Sequence, residues 1–361
     1  MANKIDKLFD QLKNQKGSDL HLLSGYPAKI RVHGELHPLT DNLSEKQVKE
    51  YLYEILDERQ RERIDSHLDL DFAYDCPFVA RFRANYMWQH FGIGAVFRII
   101  PTKILTMADL SLGENIARFT AFRSGLLLVT GPTGSGKSTT LASIINQINE
   151  TQPKHIVTIE EPVEFVHQNK KSFIVHREVG HDCLSFGQGL RSTSRQDPDV
   201  LLIGEMRDIE TIGSAISAAE MGVVVFGTLH TNSAAKTVDR IIDTFPDEQQ
   251  AQVRTQLSEA LKGVISQLLL KTADRKGRVA AHEVLFSSSA LANLIREGGT
   301  SKITSYIQGG KGDGMQLMDD AIRIHLKAGK IDGEEAYMKC FSKREFEQFL
   351  PPELKAQLAQ V

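Results

Sequence analysis

The segment GPTGSGKS, Gly131 to Ser138, constrains this chain more than any other. It satisfies G-x-x-x-x-G-K-[ST], follows the apolar run Leu126 to Thr130, and leads into the helical pattern TTLASIINQIN. A strand, a glycine loop and a helix in that order are the context such a loop needs. The glycines let successive backbone N–H groups turn inward and cradle phosphate oxygens at a helix N-terminus. Lys137 is then placed to reach β- and γ-phosphates, and the Ser138 hydroxyl to ligate Mg2+. The motif implies a chain that binds a nucleoside triphosphate.

The surrounding pattern supplies a fold for that loop. From about Ile116, short apolar runs (LLLVT, HIVTIE, DVLLIGE, VVVFGTLH) alternate with helical patterns, which predicts a parallel sheet covered on both faces. After His230 the pattern predicts mostly helix, interrupted at Lys276-Gly277 and by the strand-like VAAHEVLF. The N-terminal part reads differently. Ile5, Leu8, Phe9 and Leu12 predict a helix ending near Gly17, and strands follow from Leu20 to Leu39. Ser44 and Gln47 form a capping-box pattern that opens a charged helix expected to run to about Ser66. Strand alternation returns in DLDFAYD, in VARFRANYMWQH and from Gly94 to Ile100. A length of 361 residues suits about two domains. The expected division is an α+β domain over 1–100, a linker over 101–113 and an α/β domain with a helical C-terminal region over 114–361.

Composition excludes several functions. Lys plus Arg total 43 against 46 Asp plus Glu, a net charge of −3, without the basic excess of a dedicated nucleic-acid binder. No apolar run approaches the ~18 residues of a spanning helix, and the N-terminus lacks a signal-like apolar core. Cys76, Cys183 and Cys340 are odd in number and far apart, which fits a reducing cytoplasm better than disulfides or a metal site.

Three further patterns are candidates for chemistry. Val200 to Glu205 (VLLIGE) is a buried-strand pattern ending in an acid, with Gly204 where Asp is common, so holding Mg2+ falls to Glu205. Glu160, Glu161 and Glu164 crowd the end of HIVTI, which favours Mg2+ binding or a pKa raised toward that of a general base. Phe226 to Thr231 (FGTLHT) delivers His230 beside small and hydroxyl residues. Arg81 and Arg83 alternate on one strand face.

Taken together and in this order, these elements resemble the secretion ATPase superfamily, and most closely the type IV pilus retraction ATPases (the PilT family). The similarity extends over nearly the whole chain: GSDLHL, RFR, GAVFRIIP, GPTGSGKST, EEPVEF, REVG, LRSTSRQDPD, GEMRD, FGTLHTNSAAKTVDR and NLIREG. The resemblance implies a PAS-like N-terminal α+β domain followed by a RecA-like P-loop ATPase domain, assembled as a homohexamer fuelled by ATP with Mg2+. It implies an inner-membrane pilus platform protein as partner, with a paralogous motor ATPase as a further candidate, and a cytoplasmic place at the inner membrane. The charge balance and the lack of an aromatic-basic stripe argue for no nucleic acid. Carried over residue by residue, Gly131, Thr133, Gly134, Ser135, Gly136, Lys137, Ser138 and Thr139 are nucleotide contacts. Glu164 is the base that activates water, Glu205 the Mg2+-side acid, and His230 the histidine near the γ-phosphate. Arg81, Arg83 and Arg98 match N-domain arginines that approach nucleotide.

The chain departs from that family's pattern at three places. Glu161 replaces the usual Asp, Val223 replaces a histidine ahead of the FGTLH strand, and Ala292 replaces the arginine of AIRNLIREG. In ALANLIREG, Leu291, Leu294 and Ile295 should pack one helix face, with Asn293 and Arg296 more exposed. The expected function is a pilus-retraction motor. An assembly or secretion motor and an accessory nucleotide-binding subunit are the alternatives, the latter kept open by Val223 and Ala292.

Overall fold

The computed structural model describes residues 3–66 and 69–358. They form two compact units: the chain up to Ile104 together with Glu161–Val166, and Leu105–Glu160 together with the chain from His167 onward.

The first unit is built on six strands: β1 (Asp19–Leu23), β2 (Pro27–Val32), β3 (Glu35–Asn42), β4 (Leu70–Cys76), β5 (Ala80–Gln89) and β6 (Gly92–Ile100). They form one antiparallel sheet in the order β3-β2-β1-β6-β5-β4. Along β5, Phe82, Ala84 and Tyr86 are buried while Arg81 and Arg83 take the opposite face, the period-2 alternation of a strand with one side on a core. The helix Asp6–Asn14 lays Leu8, Phe9 and Leu12 on the apolar face. Phe9 stacks on Phe82 at 4.1 Å and meets Phe97 edge-on at 5.0 Å.

One expectation in this unit is corrected. The charged helix opened by Ser44 does not reach Ser66 but splits into Glu45–Tyr53 and Glu58–Asp65. Each half has its own capping box, Ser44 with Gln47 and Asp57 with Gln60. The second box satisfies the N–H groups exposed by the break, and the interruption turns Leu56 into the core.

The second unit centres on seven strands: β7 (Gly125–Thr130), β8 (His155–Glu160), β9 (Phe173–Glu178), β10 (Val200–Ile203), β11 (Val224–Leu229), β12 (Leu261–Lys271) and β13 (Arg278–Phe286). Their order is β13-β12-β7-β11-β10-β8-β9, parallel throughout except for the antiparallel β12–β13 pair. Strands β7 and β11 are buried at every position, as strands covered on both faces must be.

Here one expectation fails and one strand goes beyond those expected. β9 was not anticipated, and Leu261–Lys271, read as helical, is an 11-residue strand between β7 and β13. Its interior place in the sheet accounts for the error. Both faces are apolar along much of its length, so LKGVISQLLLK carries no alternation to separate strand from buried helix. Tertiary pairing decides it, and Gly263 allows the close approach: a Cβ there would sit 2.8 Å from the Phe119 ring.

Two buried histidines make the second unit acid-sensitive. Burial depresses His282 to about 4, with His325 adding repulsion. It also depresses His167 to about 4, with His176 and Lys170 contributing. A depressed folded pKa means the unfolded chain takes up the proton first as pH falls. The stabilisation is lost from about pH 6.5 downward, and the loss is complete near pH 4. We expect each histidine to contribute roughly 2 kcal/mol to the fall in stability between pH 7 and pH 5. Urea denaturation of His282→Gln at both pH values should remove about that amount from the wild-type difference, whereas an unchanged difference contradicts the assignment.

Candidate functional site

The phosphate loop leaves β7 at Thr130 and enters the helix Lys137–Thr151 through Gly136, which caps it in the left-handed region at φ 87° without a side-chain cap. Gly131 lies flush against β12: a Cβ there would fall 2.3 Å from the Gln267 carbonyl oxygen. Its φ of 148° is likewise one that L side chains rarely adopt. Lys137 Nζ donates to the Gly131 carbonyl at 2.9 Å and the Pro132 carbonyl at 3.3 Å, and reaches His230 Nδ1 at 3.4 Å.

His230 follows the last residue of β11, and Glu205 lies just beyond the end of β10. His230 Nε2 is 3.1 Å from Glu205 Oε1. The contacts suit the tautomer with its proton on Nε2: Lys137 donates to Nδ1, and Nε2–H donates to the carboxylate. Arg207 grips the same carboxylate with both arms, Nε to Oε1 at 2.5 Å and a terminal nitrogen to Oε2 at 2.6 Å. Burial alone would raise the Glu205 pKa. The hydrogen bond and charge of Arg207, joined by His230, outweigh it and hold the carboxyl below its usual range. A path of alternating charge and imidazole thus runs Lys137–His230–Glu205–Arg207.

Supporting contacts fix this path. Thr228 Oγ1 donates to the Gly204 carbonyl at 2.5 Å, and Met206 N–H donates to the Thr228 carbonyl at 3.0 Å, tying the ends of β10 and β11. The glycine at 204 has a packing reason: a Cβ would lie 3.2 Å from the Glu160 Cα on β8.

The residue set fits a nucleotide phosphate group. Ser135 Oγ is buried without a hydrogen-bond partner beside the loop, and the uncapped helix start directs N–H groups outward. It also fits Mg2+ in its usual form, one or two protein oxygens completed by substrate phosphates and water. Ser138 is exposed in the first helical turn, and Glu205 is ionised nearby in the sheet order. Among the described residues, no group of three or more His, Cys, Asp or Glu side chains forms a metal cage of its own.

The acidic segment is divided between the units. Glu160 ends β8 in the second, 4.0 Å from His176 Nδ1, while Glu161–Val166, including Glu164, belongs to the first. Within the first unit Arg81 holds the Val163 carbonyl with Nε at 3.1 Å and a terminal nitrogen at 2.9 Å, and pairs with Asp75. Arg83 lies 3.7 Å from Asp71, and Arg98 2.8 Å from Asp19. Directly opposed across β5 and β6, Arg83 and Arg98 share the polar face of the sheet. Burial opposes ionisation of Asp19, but bonds from Ser18 and Arg98 keep its pKa low.

Two of the three departures from the resembling family, Val223 and Ala292, take no part in this path. Val223 precedes β11 and lines a cavity of about 550 Å3 with Arg123, Leu201 and Met221. That is the opposite end of the strand from His230, about 20 Å away at strand rise. Ala292 sits in the helix Ser289–Arg296, which buries Leu291 and Ile295, half-buries Leu294, and exposes Asn293 and Arg296.

Residues 2–313 match the model of the type II/IV secretion system protein family. The chain belongs to that family. It is 50% identical over 337 residues to the "Type IV pilus retractation ATPase PilT" of Pseudomonas aeruginosa, covering 93% of this chain and 98% of that one. A "Twitching motility protein" of Neisseria gonorrhoeae is 50% identical over 308 residues, 85% of this chain and 82% of the other. A crystal structure of the pilus retraction motor PilT with bound ADP superposes with a TM-score of 0.87 at 39% identity, covering 96% of this chain and all of that one. With its phosphate loop intact, the chain is a nucleotide-binding ATPase of the family, an N-terminal α+β unit joined to a RecA-like fold. Among the described residues no helix is long and apolar enough to cross a membrane.

Lys137→Ala is expected to abolish ATP hydrolysis while leaving the thermal unfolding midpoint nearly unchanged, because a half-exposed loop lysine contributes charge rather than packing. Undiminished turnover of the purified variant would remove the phosphate-loop assignment.

Proposed function

We propose that this chain is a motor that retracts a type IV pilus, working as a six-membered ring driven by ATP hydrolysis. The observation that carries the reading is the Lys137–His230–Glu205–Arg207 path beside the phosphate loop. Its support is the likeness, over nearly full length, to a relative named as a pilus retraction ATPase.

In this reading the loop from Gly131 to Thr139 binds the phosphates and Lys137 leaves its carbonyl partners for their oxygens. Ser138 and Glu205 would hold Mg2+, which when bound would neutralise charge on the phosphates. Glu164 accepts a proton from water as its oxygen bonds to the γ-phosphorus, and the bond to the ADP oxygen breaks. His230 stands between Lys137 and Glu205 and transmits the change in charge at the γ-phosphate to Arg207. Arg83 and Arg98 are proposed nucleotide-contacting arginines on the strength of the family resemblance alone. Arg81 keeps the segment that carries Glu164 in place through the Val163 carbonyl. The ring acts on an inner-membrane pilus platform protein from the cytoplasmic side. Val223 and Ala292 both lie outside the hydrolytic path, so neither departure is expected to impair hydrolysis.

A strain lacking this chain is expected to be hyperpiliated and immotile on surfaces, and bald cells would instead mark an assembly motor. Glu164→Gln should bind ATP yet turn it over at least ~100-fold more slowly and fail to restore motility. Normal turnover by that variant would move the base to another residue.

A further inference from the structure

Beneath the phosphate loop lies a side chain that the motif does not include. Gln267 of β12 is 2% exposed and, with its neighbour Ser266, is a buried polar side chain in a largely apolar strand. Its Nε2 donates to the Ser135 carbonyl at 2.6 Å. Its Oε1 accepts from Thr140 Oγ1 at 2.7 Å and from His282 Nε2 at 3.1 Å. Burying an amide is costly unless its groups are paired, and this one is paired to the loop, the following helix and the neighbouring strand at once.

A trans peptide unit points its C=O and N–H in opposite directions. Fixing the Ser135 carbonyl against β12 therefore turns the Gly136 N–H away from the sheet, toward the concave side of the loop. Gly136 fits this arrangement closely: a Cβ on it would lie 2.9 Å from Gln267 Nε2. Thr140 and His282 hold the amide from two sides, so its carboxamide cannot rotate and exchange donor for acceptor without losing both bonds.

We infer that Gln267 is a positioning residue for phosphate recognition, which holds the Ser135–Gly136 peptide so that its N–H faces the diphosphate of the nucleotide. Thr140 acts through it. This rests on the loop being the nucleotide site. The contact is made in the ground state and the transition state alike, so its loss weakens binding more than turnover.

The test compares wild type with Gln267→Met, Thr140→Val, their double variant and Lys137→Ala, in ATP hydrolysis and in equilibrium binding of a fluorescent ADP analogue. Gln267→Met keeps the volume but removes the donor. It is expected to raise KM for ATP and Kd for ADP about tenfold while kcat stays within about threefold. Thr140→Val should raise both by a smaller factor, and the double variant should be no weaker than Gln267→Met alone. A merely structural role would lower the active fraction, so kcat per chain would fall with KM and Kd unchanged. That result overturns the inference, as does full additivity in the double variant. Should Gln267→Met fail to fold, Thr140→Val decides, and an unchanged Kd for ADP there also overturns it. Binding by wild type but not by Lys137→Ala upholds the nucleotide site itself, and no ADP binding by wild type would overturn both readings.

Discussion

The parallel register of three strands is the constraint on which the site depends. β7, β11 and β10 lie side by side, with Leu229 beside Thr130 and Ile203 beside Gly227. Their C-terminal ends therefore open at one edge of the sheet, where they deliver the phosphate loop, His230 and Glu205 in sequence. A slip of one residue in β11 would exchange its two faces and carry His230 away from both neighbours. The register is secured by burial, since Val225, Phe226, Leu127 and Leu128 are inaccessible and each would have to leave its place.

Polar groups beneath the apolar sheet are matched to one another, and this joins the site to the rest of the second unit. Thr130 Oγ1 and Ser266 Oγ lie 2.9 Å apart, and Thr231 and Thr237 share a 2.6 Å hydroxyl contact in the loop and helix after His230. Glu283 on β13, almost fully buried, accepts the N–H of Ala234 at the start of the helix Ala234–Asp243. The backbone N–H of Met318, where the helix Met318–Lys327 begins, also favours its ionised form. Burial raises its pKa, while these two N–H groups oppose the rise. One carboxyl thus anchors the segment after His230 to β13. A carboxylate is well suited to a helix N-terminus because it meets unsatisfied N–H groups and a positive dipole end.

Much of this was legible in the sequence, for physical reasons that differ from element to element. The phosphate loop is legible because its glycines and lysine are needed at fixed spacing, and β7, β8, β10 and β11 because strands buried on both faces must be apolar runs. Arg81 and Arg83 announce their shared face through simple alternation. Leu261–Lys271 was misread because an interior strand and a buried helix present the same apolar composition. With it went Gln267, whose one visible signal is an amide inside an apolar run. The break at Leu56 was hidden because charged residues on both sides continue a helical pattern, although Asp57 and Gln60 repeat the capping spacing of Ser44 and Gln47. The partnership of Arg207 with Glu205 depends on how the chain turns after β10, which no periodicity records.

The central claim is that Lys137, His230 and Glu205 act as one connected unit at the phosphate site. A double-mutant cycle on kcat/KM for ATP, using His230→Ala, Glu205→Gln and the double variant, tests it most directly. Groups in direct contact couple by about 1 kcal/mol or more. The account predicts that the second substitution costs far less once the first has been made. Losses that add to within about 0.5 kcal/mol would mean the two residues act independently, and would contradict it.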